Sequence, residues 1–86
     1  MRSPHVIYGV HITNRVEHAV DVQRVFTEFG RSIRTRLGLH DVHDNYSSPG
    51  GLILLEMMGK PAELRRFEKK LKAIKGVHVQ KMTFPH

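Results

Sequence analysis

From His5 to Ile12 the chain alternates, with Val6, Tyr8, Val10 and Ile12 on one parity and Ile7, Gly9 and His11 on the other. A period of two in β-branched and aromatic residues predicts a strand. The period changes after Thr13. Asn14 followed three residues on by Glu17 has the spacing of a capping box, so a helix is expected from Arg15. Val16, Ala19, Val22, Phe26 and Phe29 then recur at helical spacing, Glu17, Asp21, Arg24 and Glu28 fall on the polar side, and Gly30 closes the helix. Alternation returns from Ser32 to Leu39, with Ile33, Thr35, Leu37 and Leu39 against Arg34, Arg36 and Gly38. That is a second strand.

The stretch from His40 to Gly51 is dominated by Asp, Asn, Ser, Pro and Gly and reads as a long hairpin connection. Leu52 to Met58 is apolar on both parities except for Glu56, as a central strand should be. Gly59-Lys60-Pro61 ends it, and Pro61 suits the first turn of a helix. Leu64, Phe67, Leu71 and Ile74 form one buried stripe, Gly76 ends the helix, and Val77 to Phe84 alternates as the last strand. The expected fold is α+β: a single ferredoxin-like βαββαβ sandwich over residues 1–86, with an antiparallel sheet of order 4-1-3-2 and both helices on one face. Its core face should hold Val6, Tyr8, Val10 and Ile12 of the first strand with Val77 and Val79 of the last.

This layout has a cost. Either Ile53, Leu55 and Met57 or the alternate row of Leu52 and Leu54 must face away from the helices. An apolar central strand left open to water is uncommon in a monomer, so a homodimer or higher symmetric oligomer is expected.

Composition narrows the chemistry. The absence of cysteine excludes disulfides, thiolate metal sites and a cysteine nucleophile. Tryptophan is absent too, and the four Phe and two Tyr are dispersed, which argues against a broad aromatic platform. The longest apolar run, Leu52 to Leu55, is far short of a membrane span, and Met1 to His5 holds no apolar leader, so a cytoplasmic protein without a membrane partner is expected. The net charge of +6 is concentrated, since the segment from Lys60 to Lys75 holds seven basic residues and two acidic ones.

Three constellations carry possible chemistry. His11, near the end of the first strand, and His78, near the start of the last, share the uncovered parity and should stand side by side on neighbouring strands. Two imidazoles so placed suit Ni, Zn or Co, with symmetry-related copies or Glu56 completing the coordination. His40-Asp41-x-His43-Asp44 packs four possible ligands into five residues, although Asp in such a stretch commonly bonds its own backbone. Arg65, Arg66, Lys69, Lys70, Lys72 and Lys75 lie on the solvent side of the second helix, where they could follow a phosphate backbone with salt-sensitive affinity. Nucleic-acid binding through that helix is therefore the alternative function. The third strand lacks the stacking aromatics of an RNA-recognition motif. Neither a glycine-rich phosphate loop, a nucleophile elbow nor HExxH occurs, so a non-enzymatic role is expected, and the residues identify no cofactor.

Several of these segments together resemble an ACT domain: Val10-His11-Ile12-Thr13-Asn14-Arg15, the helix ending in Phe29-Gly30, and the extended segment from Ser32. With Arg36-Leu37-Gly38, the apolar third strand and Gly76-Val77-His78-Val79, the chain is most similar to a small stand-alone ACT-like family of iron-only hydrogenase system regulators. The same fold serves as the metal-sensing C-terminal half of the nickel-responsive repressor. The resemblance covers nearly the whole chain. It implies an oligomeric regulatory domain whose ligand, a small metabolite or a divalent metal, binds at inter-subunit surfaces, with Thr13, Asn14, Arg15 and Arg36 as ligand-binding residues. Amino-acid-binding ACT domains usually carry Pro-Gly after the Asn-Arg step; here Val16 and Glu17 stand there, placing a negative charge where a carboxylate ligand would approach.

Overall fold

A computed structural model describes residues 4–13, 15–39 and 51–85. Its elements run β1 (His5–Ile12), α1 (Arg15–Glu28), a 3-10 turn (Gly30–Ser32), β2 (Ile33–Leu39), β3 (Gly51–Met57), α2 (Pro61–Lys72) and β4 (Val77–Phe84). The sheet order is β2-β3-β1-β4 with every neighbouring pair antiparallel, which is the expected ferredoxin-like order read from the other edge. Asn14, the expected helix cap, lies outside the described residues, as does the His40-Asp41-x-His43-Asp44 motif.

The alternation of β1 is what builds the core. Val6, Tyr8, Val10 and Ile12 are all buried, and β3 adds Leu55 and Met57 while β4 adds Val77. From above, α1 supplies Val22, Val25 and Phe26, Phe29 follows directly after it, and α2 supplies Leu64, Phe67 and Leu71. Ile33, Ile53, Ile74 and Val79 pack at the margin. Phe67 sits at the centre, its ring 5.5 Å from that of Tyr8, 5.3 Å from Phe29 and 6.3 Å from Phe26. The first two contacts are edge-on, the geometry that aromatic quadrupoles favour.

The register of β3 selects which apolar row is covered. Val6 faces Met57, Tyr8 faces Leu55 and Val10 faces Ile53, so these three residues point to the helices. Leu52, Leu54 and Glu56 point the other way. In β2 the single face expected for Ile33, Thr35, Leu37 and Leu39 is broken. A register shift between Ile33 and Thr35 leaves Ile33 against the core and turns Leu37 to the open side. A bulge adds one residue to one strand, and parity inverts beyond it.

Two junctions fix the ends of the elements. Ser32, buried at the start of β2, donates from Oγ to Glu63 Oε1 at 2.9 Å in the first turn of α2, and its carbonyl accepts from Met58 N at 2.7 Å. At the opposite end of the sheet, Gly76 adopts φ +83°, a conformation disfavoured for residues with a Cβ. A methyl group there would lie 2.9 Å from Thr13 Oγ1 and 3.0 Å from the His18 ring. Gly76 thus lets the start of β4 pass beneath the first turns of α1.

Tyr8 makes the core sensitive to alkali. Its hydroxyl is buried, donates a long 3.5 Å bond to the Leu64 carbonyl, and has its pKa pushed up from 10.0 to about 12, first by burial and second by the charge of Glu68. The unfolded chain gives up this proton near its ordinary pKa while the folded one retains it, so folding stability falls as pH rises between the two values. The expected loss is about 2–3 kcal/mol by pH 12, since each pKa unit corresponds to about 1.4 kcal/mol. Urea midpoints of the wild type and Tyr8→Phe, compared across that range, check this. The midpoints should converge or cross as the wild type loses its advantage; curves that stay parallel would refute the assignment.

Candidate functional site

Both helices cover one side of the sheet, leaving the other bare. On that open face β1 contributes His5, Ile7, Gly9 and His11; β3 contributes Leu52, Leu54 and Glu56; β4 contributes His78, Gln80, Met82 and Phe84. Thr35 and Leu37 of β2 complete it. Met82 is 53 % exposed, Leu37 52 % and Phe84 50 %. At the centre Leu54 leans across Gly9, reaching 3.8 Å from where a Cβ would stand, so the missing side chain lets the leucine lie over the strand.

Charge is distributed unevenly between the two sides. Among the described residues that the strand pairings place on the open face, Glu56 is the one acid and no Lys or Arg occurs; Arg34, the unpaired residue of the β2 bulge, stands at its edge. Glu56 is occupied as well, its Oε2 lying 3.1 Å from His5 Nδ1 and its Oε1 accepting from Thr35 Oγ1 at 3.4 Å. His5 is thereby tied across the sheet to β3.

His11 and His78 are direct cross-strand partners with ring centroids 6.2 Å apart and planes inclined by 29°. Both are exposed. The expected side-by-side placement holds, but Glu56 does not join it. Glu56 opposes Ile7, four positions along β1 from His11, or ~13 Å at ordinary strand rise. Among the described residues no three His, Asp or Glu side chains converge into a metal cluster.

The ligand-binding residues implied by family resemblance are not all brought together. Thr13 follows the end of β1, and both its N and its Oγ1 donate to the Gly76 carbonyl at 2.8 Å, so the hydroxyl proton is already engaged. Arg15 begins α1, and its side chain, like Asn14, lies outside the description. Arg36 is elsewhere. It sits opposite Leu55 on the helix-covered side, with its guanidinium 4.9 Å from the centroid of Phe26 and its Nη1 donating to Gln23 Oε1 at 3.3 Å. It clasps β2 to α1, away from the Thr13 loop.

The basic stripe of α2 is split. Lys70 Nζ lies 2.6 Å from Glu28 Oε2, and Arg66 approaches the same carboxylate at 3.9 Å. Both cations also stand over the Phe29 ring, at 5.4 Å for Arg66 and 5.9 Å for Lys70. Lys72 pairs with Glu68 at 3.8 Å within the helix. Arg65 and Lys69 point outward with no ion-pair partner among the described residues. Helical spacing places Arg66 and Lys70 on one side, but their acid comes from another element, so sequence alone could not reveal the clamp.

No helix among the described residues is long and apolar enough to cross a membrane. No protein-family model matches the chain. No curated protein matches it. Among solved structures, an uncharacterized protein from Thermotoga maritima shares the fold with a TM-score of 0.81 at 18 % identity, covering 94 % of this chain and 96 % of that one. At that identity the likeness is one of fold: the chain is a small ferredoxin-like α+β domain.

Proposed function

We propose that this chain is a homo-oligomeric, ACT-like regulatory module of the cytoplasm that works by docking rather than turnover, with the open sheet face as its working surface and a second copy as the occupant. One observation carries the reading: in a chain of net charge +6, the open sheet face exposes Leu37, Leu52, Met82 and Phe84 among neutral polar residues and carries Glu56 as the one acid that the strand pairings place there. Two like-charged copies meet with least repulsion where their charge is absent. A two-fold axis lets the same patch serve both partners.

Size limits the strength. Four strands at ~4.8 Å spacing and seven residues at ~3.3 Å rise give a footprint of about 450 Å² per copy. Side-chain relief brings the pair to about 1,000 Å² in all, the lower edge of specific interfaces. A reversible dimer is expected. Sedimentation velocity across the micromolar range should show the mass rising from 9.9 kDa toward twice that value; a single 9.9 kDa species at every concentration would reject the proposal.

The regulatory part of the proposal rests on family resemblance, with a small metabolite or a metal as the signal. The alternative of nucleic-acid binding through α2 is weakened by geometry. Arg66 and Lys70 are engaged by Glu28, and Lys72 by Glu68, which leaves Arg65, Lys69 and, just past the end of α2, Lys75 exposed.

A further inference from the structure

We propose that His11 and His78 form a two-imidazole site for a borderline divalent cation, such as Zn²⁺ or Cu²⁺, on the open face of the sheet. The inference goes beyond self-association, because a single chain carries both ligands.

The backbone already performs most of the positioning. Cross-strand partners on one face carry Cβ atoms about 4.5–5.5 Å apart, and each imidazole reaches a cation through rotation about two side-chain bonds. The rings now stand 6.2 Å apart, inclined by only 29°, and so already lie alongside one another. Metal–nitrogen bonds of about 2.0–2.1 Å in tetrahedral geometry require the two donor nitrogens to come within about 3.3 Å. Both side chains are exposed in the single chain, so tilting them toward each other disrupts none of its core packing. The anchoring strands are rigid at this point, since Thr13 is tied to Gly76 immediately beyond the pair.

The surroundings favour a nitrogen-loving metal over a hard one. Leu52 flanks His11 on β3 and Gly9 is the open-face residue before it on β1, while Gln80 is the next open-face residue of β4. No carboxylate stands beside the rings among these neighbours, which disfavours Mg²⁺ and Ca²⁺. Imidazole pairs instead select Cu²⁺, Zn²⁺ and Ni²⁺. Two protein ligands leave coordination positions open for water or an added small ligand, so an occupied site would itself be able to bind one.

Zn²⁺ titrated into the untagged full-length chain at pH 7.5, followed by calorimetry and by histidine ring resonances, tests the site. His11→Ala and His78→Ala should each weaken Zn²⁺ affinity at least tenfold while the far-ultraviolet circular dichroism stays unchanged. The ring signals of both residues should shift together in the wild type. His5→Ala and His40→Ala/His43→Ala should change the affinity less than threefold. If either His11→Ala or His78→Ala binds within tenfold of the wild type, or the loop double variant removes the binding, the site is refuted. Loss of the dimer with Zn²⁺ binding retained would reject self-association and leave this site standing.

Discussion

Replacing Phe67 by alanine is expected to destabilise the fold by about 3–5 kcal/mol, the range for truncating a fully buried aromatic residue. Three features put it in that range. The ring has no solvent exposure, it belongs to the α2 stripe that closes the core over β1, and it contacts the rings of Tyr8, Phe26 and Phe29. The cavity left behind would be bordered by strand residues and other rings that cannot easily collapse into it. Chains of this length have a total stability of roughly 4–13 kcal/mol, so the substitution removes a large share of the whole. Urea unfolding should show the midpoint falling by about 2 M if the slope is ordinary for a small domain. Phe67→Leu retains most of the volume but none of the ring contacts, and should cost less. A loss below about 1.5 kcal/mol for the alanine variant would mean that Phe67 does not join the two helices to the sheet as described.

Phe67 was visible in the sequence because its spacing from Leu64 and Leu71 is periodic, and periodicity was the strongest signal throughout. The order of elements, the buried parity of β1 and the stripe of α2 all follow from it. Two other features did not. The parity of β2 past Ile33 depends on a bulge, whose extra residue is set by pairing with β3 rather than by any local pattern. The roles of Arg36, Arg66 and Lys70 depend on Phe26, Phe29, Gln23 and Glu28, which come from a different element in each case. A charged residue beside an apolar stripe reads as solvent-facing until the neighbouring helix is placed against it.

The candidate site was legible for a related reason. Strand parity put His11 and His78 on the same face, and the antiparallel order of β4 and β1 put them opposite one another. What parity could not supply was the register of β3. Either apolar row of that strand might have been buried, and pairing with β1 covers Leu55 and Met57 and bares Leu52 and Leu54. The position of Glu56 follows from the same register, which carries it away from the histidines.

That register makes Leu54 the decisive residue for assembly. It lies mid-strand on the open face, between Gly9 of β1 and Leu37 of β2, and is half-buried in the single chain. In a dimer with two-fold symmetry, Leu54→Glu places one carboxylate in each copy near the middle of the joined faces. Both must then lose water, and the strand pairings put no Lys or Arg beside Leu54 to oppose them. The dimer dissociation constant should rise at least a hundredfold, which corresponds to about 2.7 kcal/mol. Within a single chain the change sacrifices only part of one apolar contact, so the urea midpoint should move by less than about 0.5 M at an ordinary slope. Met82→Glu is the companion test: Met82 lies opposite Ile7 on the same face and is half exposed, so its folded state should hardly notice the change. Val20→Glu makes the same chemical change on the outer side of α1, where Val20 is 62 % exposed, and should leave association untouched. Sedimentation equilibrium separates the cases. If Val20→Glu disrupts the dimer while Leu54→Glu and Met82→Glu preserve it, the interface lies on the helices and the open sheet face is not the docking surface.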